Sequence, residues 1–383
     1  MTAGADTIDT ANVAGKLVAR GRAAMKQFAG ASQQRLDEAV TALAWSLYKP
    51  QNARALAELA VETTGLGNVE SKIVKNQRKT FGTLRDLLRV KSTGIIEQLP
   101  EKGLVKYAKP VGVVAAVTPS TNPSATPVNK TMMAVKGGNA VIIAPSPLSW
   151  SATNATVDAM RAELEKIGAP QDLVQILPQP VTREATTQLM SAADLVVVTG
   201  SQNNVRRAYS SGKPAIGVGA GNAPVIIDTS ADLDDAAEKI CASKIFDNAT
   251  SCSSENSVII ADEIYDAAIA ALTRAGGYLA TNEEGKAIVG LLWRDGKLNR
   301  DIIAKDAAVL AAAFGLTGKA KSAKFFMVEE TGIGRDYPLS DEKLSLVLTV
   351  YRARDFSHAK RIGASILDHL GKGHSIGIHT QDM

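Results

Sequence analysis

The sequence predicts an α/β fold built on a doubly wound parallel sheet. Between about residues 111 and 210, short apolar runs alternate with amphipathic helical patterns, and this alternation is typical of strands that pair in parallel. The run from Val111 to Val117 is apolar without interruption, as expected for a strand buried on both faces. A chain of 383 residues is long enough for two or three domains.

The elements of this first unit follow from periodicity and from turn residues. Strands are predicted at 111–117, 140–144, 173–177 and 195–198. Helices are predicted at 127–135, 151–167, 183–191 and 203–210. The first ninety residues show helical patterns, with Ser32 as a helix cap, a run at 53–62 that ends at Gly65 and Gly67, and a long run at 70–90.

A hairpin interrupts this series. The segments 94–99 and 103–108 flank the turn Pro100-Glu101-Lys102, which is a hairpin pattern. Little around it is available for packing, so we predict that residues 93–110 form an arm that reaches another subunit.

A second α/β unit is predicted from about Asp228, with strands at 257–261 and 324–328 and helices at 265–275 and 300–314. The predicted domains are therefore 1–92 with 111–227, the oligomerisation segment 93–110, and 228–383.

Cys252 lies in a short polar segment between a helical pattern, 232–245, and an apolar run, 258–261. A thiol on such a loop can be presented to a cleft, and cysteine is the side chain closest to a usable nucleophile at neutral pH. Cys241 differs, because it shares a helical face with Leu233, Ala237 and Ile245 and is predicted to be core.

Composition excludes several other classes of protein. The net charge is +4, and the basic residues are interleaved with acids rather than clustered, so no nucleic-acid interface is predicted. Four histidines and two cysteines without ligand spacing predict no metal site. No secretory signal or membrane-spanning run is visible, and the expected compartment is a reducing cytoplasm.

Several motifs, taken in their order and spacing, resemble the aldehyde dehydrogenase superfamily and within it the CoA-acylating branch. The resemblance runs from about Ala53 to the end of the chain. The motifs that carry it are Lys109-Pro110-Val111-Gly112-Val113, Thr118-Pro119-Ser120-Thr121-Asn122-Pro123, Tyr209-Ser210-Ser211-Gly212-Lys213-Pro214-Ala215, Gly217-Val218-Gly219-Ala220-Gly221-Asn222, the Cys252 segment, Glu342-Lys343-Leu344-Ser345 and Gly373-His374.

The resemblance implies that Cys252 attacks an aldehyde carbon and later carries a thioester. It also implies that the Asn122 side-chain amide and the Cys252 backbone N–H stabilise the oxyanion, where one such donor is worth about 10²–10³ in rate. Hydrolytic members carry a glutamate general base at the place of Gly217. Its absence favours the thiol of coenzyme A over water as acceptor, and Glu255 is interpreted as structural rather than as a substitute base.

The resemblance assigns nucleotide binding to 1–92 with 111–227 and catalysis to 228–383, and the cofactor it implies is NAD or NADP. Pyrophosphate is expected near Thr199-Gly200-Ser201, before a helix N-terminus, and the acid that binds the nicotinamide ribose is expected at Glu342. Ser146 stands in the loop that contacts the adenine ribose, where no carboxylate excludes a 2′-phosphate. The full set of predicted cofactor-binding residues is Thr118, Pro119, Ser120, Ser146, Thr199, Gly200, Ser201, Gly217, Val218, Gly219 and Glu342.

Alternatives remain open from the sequence. The aldehyde is sulfoacetaldehyde, acetaldehyde, propanal or succinic semialdehyde, and the assembly is a homodimer or a homotetramer. Family members continue past the Gly373-His374 motif, whereas this sequence ends at Met383, so a C-terminal segment is expected to be missing. A hydrolytic enzyme with another base and a non-catalytic nucleotide-binding subunit are the competing hypotheses.

Overall fold

The computed structural model describes residues 10–382, which separate into two compact units. The first contains residues 10–65 and 69–219, and the second contains 66–68 and 220–382. We expected the second unit to begin near Asp228, but the strand Ala223–Ile227 pairs with two strands of the second sheet. The observed division therefore lies one strand earlier than the predicted one.

The first unit opens with four helices and the predicted hairpin. The helices are α1 (Thr10–Gln27), α2 (Gln33–Tyr48), α3 (Pro50–Thr64) and α4 (Val69–Leu88). The Ser32 side chain accepts a hydrogen bond from the Arg35 N–H, which confirms the predicted cap. The hairpin strands β1 (Gly94–Leu99) and β2 (Leu104–Ala108) pair antiparallel around a 3₁₀ turn at Pro100–Lys102.

The remainder of this unit is a five-stranded parallel sheet with helices between its strands. In chain order the elements are β3 (Val113–Thr118), α5 (Ala125–Lys136), β4 (Ala140–Pro145), α6 (Trp150–Lys166), β5 (Val174–Ile176), α7 (Arg183–Ala192), β6 (Leu195–Thr199), α8 (Gln202–Tyr209) and β7 (Ala215–Val218). The strand order is β5-β4-β3-β6-β7, so the direction of winding reverses between β3 and β6. All residues of β3 and β4 are buried, as continuous apolar runs predict.

The second unit is built on a six-stranded parallel sheet. Its elements are β8 (Ala223–Ile227), α9 (Leu233–Ile245), β9 (Glu255–Ala261), α10 (Tyr265–Arg274), β10 (Gly277–Leu279), α11 (Asn282–Leu292), β11 (Trp293–Arg294), β12 (Lys297–Leu298), α12 (Ala307–Ala313), β13 (Phe325–Glu329), β14 (Val347–Ala353), α13 (Phe356–His369) and β15 (Gly377–His379). The strand order is β10-β13-β14-β9-β8-β15, and β11 and β12 form a separate short ribbon.

The prediction of a helix at 300–314 is wrong in its first half, since α12 begins only at Ala307. Ala304 has a left-handed backbone with φ of 57°. Its N–H donates to the Leu344 carbonyl, while its own carbonyl accepts from the N–H of Gly67 and the side chain of Asn248. Tertiary hydrogen bonds have replaced the helical ones at this residue.

Within residues 10–382, no helix is both long and apolar enough to cross a membrane. The apolar residues are instead collected in one core around the five-stranded sheet and in further clusters around the six-stranded sheet. Each unit therefore buries its own sheet.

Candidate active site

Cys252 lies on an exposed turn immediately before β9. The turn is closed by the Ser254 N–H, which donates to the Ser251 carbonyl at 2.9 Å. Cys241, in contrast, is buried on α9, where its thiol donates to the Ala275 carbonyl at 3.3 Å. Burial raises the pKa of the Cys241 thiol, so of the two cysteines only Cys252 is presented for chemistry.

The backbone before Cys252 is strained. Asp247, Asn248 and Ala249 have φ values of 50°, 53° and 60°, a conformation that costs residues with a side chain roughly 1–3 kcal/mol each. The buried Asp247 carboxylate offsets part of this cost by accepting from the Asn68 N–H at 2.9 Å and the Thr250 hydroxyl at 2.6 Å. The segment that leads into the Cys252 turn is thus held in one conformation.

Gly221 lies directly against the Cys252 turn. A Cβ atom built on Gly221 would stand 2.2 Å from the Cys252 carbonyl oxygen and 2.8 Å from the Cys252 Cβ. Real Cβ atoms do not approach so closely, so only glycine permits this contact. The last glycine of the Gly217 to Gly221 motif is therefore required by packing against Cys252.

Glu342 is hydrogen-bonded to the same glycine, Gly221. Its Oε1 atom accepts from the Gly221 N–H at 3.1 Å. Loss of solvent on burial raises the pKa of this carboxyl to about 7, although the Gly221 hydrogen bond and the charges of Lys343 and Lys244 oppose the shift. The second unit therefore brings together Cys252, Gly221 and a carboxyl group that titrates near neutrality.

Two buried lysines support this cluster, and sequence reasoning missed both as functional residues. The Lys244 ammonium donates to the Glu255 carbonyl at 2.9 Å, and burial lowers its pKa to about 7. The Lys343 ammonium donates to the carbonyls of Leu339 and Asp341 at 2.7 and 2.9 Å, and burial lowers its pKa well below the usual value. A lysine next to a motif acid was the available signal for Lys343.

In the first unit, the predicted cofactor residues lie along the carboxyl edge of the sheet. Thr118 ends β3, and its carbonyl accepts from the Ser146 N–H just after β4. Thr199 ends β6, and the following Gly200 N–H donates to the Val218 carbonyl at the end of β7. Parallel sheets bind ligands at this edge, at the point where the winding reverses.

The Thr118 hydroxyl provides a test of whether this edge suits a nucleotide. Thr118 is 2% exposed, and within the described part of the chain no group hydrogen-bonds its Oγ1 atom. A buried hydroxyl without a protein partner usually has a ligand or water as partner. Its place at the reversal point, together with the neighbouring Ser146 and Thr199 (Pro119 and Ser120 follow Thr118 directly), fits a bound dinucleotide.

Ser201 caps α8, because its side chain accepts from the Asn204 N–H at 3.4 Å. The Gln202 side chain covers Gly219, so a Cβ atom on Gly219 would stand 2.0 Å from the Gln202 Oε1 atom. The hydroxyl of Ser201 is therefore engaged by its own helix in this structure, and Gly219 leaves room for a glutamine.

Asn122 stands in a loop that is tethered on both sides. The Thr121 carbonyl accepts from the Lys72 ammonium at 3.1 Å, and the Pro123 carbonyl accepts from the Thr153 hydroxyl at 3.1 Å. The Asn122 backbone is consequently held in place. Asn122 belongs to the first unit and Cys252 to the second, so their joint role in binding an oxyanion stays a prediction.

Gly217 has no room for a side chain. A Cβ atom there would stand 2.8 Å from Val205 Cγ1 and 3.3 Å from the Tyr209 ring. The Gly217 N–H also donates to the Tyr209 hydroxyl at 3.2 Å. The position at which the resemblance expects the base of hydrolytic enzymes is thus closed by α8 and also lacks a carboxylate.

Lys130 is a further residue that the sequence analysis missed. Its ammonium donates to the Val117 carbonyl at 2.7 Å and the Val197 carbonyl at 2.9 Å. These carbonyls lie near the ends of β3 and β6, the two strands between which the winding reverses. Burial lowers the pKa of Lys130 to about 7. A lysine between the apolar positions of α5 was the only sequence signal.

No group of three or more histidine, cysteine, aspartate and glutamate side chains that could hold a metal ion occurs among the described residues. The described residues therefore offer an exposed thiol on a turn that packs against Gly221, a titrating acid that binds the same glycine, and a sheet edge of the kind that binds ligands.

Comparison with known proteins assigns the class of this molecule. The model of the aldehyde dehydrogenase family matches residues 6–289, and the chain belongs to that family. It is 51% identical over 367 residues to the sulfoacetaldehyde dehydrogenase (acylating) of Cupriavidus necator, covering 96% of this chain and 74% of the relative.

Solved structures agree with this assignment. An acetylating aldehyde dehydrogenase from Geobacillus thermoglucosidasius superposes with a TM-score of 0.93 at 35% identity, over 98% of this chain and 82% of that one. A Rhodopseudomonas palustris propionaldehyde dehydrogenase, solved with bound CoA and an acylated cysteine, gives a TM-score of 0.85 at 26% identity, over 97% and 83% of the two chains. The expected α/β fold of this family is confirmed.

Proposed function

We propose that this protein oxidises a short-chain aldehyde to an acyl-CoA, with NAD or NADP as hydride acceptor and Cys252 as nucleophile. The observation that carries the proposal is the 51% identity to an acylating enzyme over 96% of the chain. The exposed Cys252 turn and the closed Gly217 position support it independently.

The chemistry starts at the Cys252 sulfur, which forms a bond to the aldehyde carbon as the carbonyl oxygen becomes negative. The Asn122 amide and the Cys252 N–H are the proposed donors to that oxygen. When bound, the nicotinamide supplies the acceptor for the hydride, which leaves a thioester on Cys252. Attack by the CoA thiol then releases acyl-CoA and restores the free cysteine.

Three features of the chain favour CoA over water as the acceptor. Gly217 carries no carboxylate, and Val205 and Tyr209 occupy the space that one would need. Glu255 begins β9, and its backbone carbonyl accepts a hydrogen bond from the buried Lys244 ammonium at 2.9 Å. Glu255 is therefore interpreted as part of the support of the loop rather than as a base.

The dinucleotide is proposed to lie along the carboxyl edge of the five-stranded sheet, against Thr118, Ser146, Thr199 and Gly200. Glu342 is the proposed acceptor for the ribose hydroxyls of the nicotinamide half, because it is a partly buried carboxyl beside Gly221 and near Cys252. No acid follows β4 in the loop at Pro145-Ser146-Pro147, which is compatible with NADP as well as NAD.

The proposed substrate is sulfoacetaldehyde, the substrate in the name of the Cupriavidus necator relative. The hydroxyl-bearing side chains Ser251 and Ser253 flank the thiol and offer donors to a sulfonate. The protein is proposed to act in the cytoplasm. It is also proposed to form a homo-oligomer in which the β1–β2 hairpin joins the subunits.

The decisive test is reduction of NAD and NADP with sulfoacetaldehyde, acetaldehyde, propanal and succinic semialdehyde, each with and without CoA. The proposal expects CoA-dependent turnover, the highest kcat/KM with sulfoacetaldehyde, and a thioester product. Equal rates without CoA, with free acid as product, would establish the hydrolytic alternative. Unchanged turnover in Cys252→Ala would refute nucleophilic catalysis by this thiol.

A further inference from the structure

Asn256 lies one residue inside β9, four residues after Cys252, and is 4% exposed. The motifs that resemble the family do not include it, and its side chain has no role in the chemistry above. Its carboxamide is nevertheless hydrogen-bonded to three segments, which are Gly221, the Cys252 turn and the residue after Glu342.

The amide nitrogen of Asn256 serves two of these segments. Its Nδ2 atom donates to the Gly221 carbonyl at 3.2 Å and to the Ser254 carbonyl at 3.4 Å. Ser254 closes the turn that contains Cys252, and Gly221 packs against Cys252 itself. One NH₂ group therefore holds the nucleophile turn to the glycine on which it rests.

The amide oxygen serves the third segment. Asn256 Oδ1 accepts from the Lys343 backbone N–H at 2.9 Å, and Lys343 follows Glu342. Because Glu342 in turn accepts from the Gly221 N–H at 3.1 Å, Gly221 is held on its N–H side by Glu342 and on its carbonyl side by Asn256. The hydrogen bonds close a ring through Gly221, Glu342, Lys343 and Asn256.

We propose that Asn256 is a positioning residue, whose carboxamide fixes the Cys252 turn, the Gly221 backbone and the Glu342 segment in one mutual arrangement. The proposal rests on the proposed function, in which Cys252 is the nucleophile and Glu342 binds the dinucleotide. The Asn256 carboxamide is buried and bonds to the backbone of Gly221, Ser254 and Lys343, so it is proposed to act through these neighbours. It acts because a buried amide, with both donors and its acceptor satisfied, admits a single orientation.

The consequence is that one side chain, Asn256, affects both the nucleophile Cys252 and the cofactor-binding acid Glu342. A displacement of about 1 Å at a reacting group can cost on the order of 10²-fold in rate. If the carboxamide is lost, the thiol and the cofactor acid both lose their fixed positions. The rate of acylation and the KM for the dinucleotide should then change together. General destabilisation would instead reduce the amount of folded protein, and the molecules that remain folded would keep both values.

The experiment compares Asn256→Ser with Asn299→Ser. Asn299 is a matched control in the same unit, since it is 5% exposed, donates to the Leu291 carbonyl at 3.0 Å and accepts from the Asp301 N–H at 3.1 Å. Both variants lose a buried amide of the same kind. We expect Asn256→Ser to lower kcat at least about tenfold and to raise the dinucleotide KM, while Asn299→Ser keeps both within about twofold.

Hydrogen exchange gives a readout that does not depend on turnover. In Asn256→Ser, amides at 220–222, 251–256 and 342–345 should exchange faster together, and in Asn299→Ser they should not. The rate at which iodoacetamide labels Cys252 should differ from that of the wild-type protein in Asn256→Ser and should equal it in Asn299→Ser. If kcat, KM and exchange in Asn256→Ser all match those of Asn299→Ser, the proposal is overturned.

A second variant covers a failure of Asn256→Ser to fold. Asn256→Asp keeps the shape and the acceptor for Lys343 but cannot donate to the carbonyls of Gly221 and Ser254. It should show the same joint loss, and wild-type kinetics in this variant would overturn the proposal. Failure of the proposed function is distinguished because Cys252→Ala would then retain turnover, while the exchange result for Asn256→Ser would stand unchanged.

Discussion

Gly221 and Cys252 are in such close contact that a methyl group on Gly221 would overlap the Cys252 carbonyl oxygen, at 2.2 Å. The contact is between backbone atoms, which cannot rotate away as a flexible side chain can. The position of the Cys252 turn therefore depends on the absence of a side chain thirty-one positions earlier in the chain.

Gly221→Ala is expected to lower kcat at least about tenfold, because the Cys252 turn must move to admit the methyl group. Gly290→Ala is the control, since Gly290 lies in α11 with open space where the Cβ would stand, and alanine there favours the helix by up to about 1 kcal/mol. Steady-state kinetics and thermal unfolding measure both. Full activity in Gly221→Ala would show that the turn accommodates the methyl group.

Gly217→Glu is expected not to create a hydrolytic enzyme. The new Cβ meets Val205 and Tyr209, so the substitution should destabilise the protein by about 1–3 kcal/mol, as overpacking does, and leave acyl-CoA as the product. Product analysis with and without CoA measures this outcome. The double variant Gly217→Glu with Val205→Ala tests the steric reason, because it should recover stability. Rapid release of free acid from the single variant would contradict the prediction.

The KM for the dinucleotide is expected to depend on the ionisation of Glu342. Burial raises the pKa of this carboxyl to about 7, and only the carboxylate accepts hydrogen bonds with both oxygens. The KM should therefore rise as the pH falls through 7, approaching tenfold per pH unit on the acid side. Initial rates between pH 5.5 and 8.5 measure the profile. Glu342→Gln should remove this rise in KM at low pH. An unchanged pH profile in that variant would show that another group causes the rise.

The stability of the protein is expected to depend on the ionisation of Lys130. Burial lowers its folded-state pKa to about 7, below the ordinary value of 10.5. Between these pH values the unfolded state binds more protons, so this lysine makes the free energy of unfolding increase with pH from 7 toward 10. Lys130→Met should reduce that slope in urea titrations at pH 7 and 9.5. It should also destabilise the protein by about 1–3 kcal/mol at pH 9.5, because two buried carbonyls lose their donor.

Lys166→Met is the control for the Lys130 experiment, since that side chain is 61% exposed. It should leave the slope between pH 7 and 9.5 unchanged. The prediction for Lys130 is contradicted if Lys130→Met and the wild-type protein show the same slope.

Substitution of the hairpin is expected to weaken assembly. Leu104, Val105 and Tyr107 are about half exposed, at 52%, 48% and 59%, and exposed apolar clusters of this kind mark interaction sites. Tyr107→Glu should shift the protein toward monomers in sedimentation velocity, with Lys102→Glu at the hairpin turn as control. An unchanged sedimentation profile in Tyr107→Glu would remove the hairpin from the assembly interface.

The amino-acid sequence alone determined the local elements of this protein and the family to which it belongs. The apolar runs of β3 and β4, the Ser32 cap and the β1–β2 hairpin depend on neighbours in the chain, and each occurs where the pattern predicts it. The ordered motifs were sufficient for the family. Distinguishing Cys252 from Cys241 required only helical periodicity, and the structure places them exposed and buried as expected.

The tertiary structure decided what depends on residues distant in the chain. The first half of the predicted helix at 300–314 is absent because Ala304 bonds to Gly67, Asn248 and Leu344 instead. Lys130 and Asn256 stand outside the motifs, and most of their hydrogen bonds are to backbone groups that only folding brings near. Hydrogen bonds and steric contacts act over a few ångströms in space, whatever the separation in sequence. For that reason the contacts that support the Cys252 turn were visible only in the folded chain.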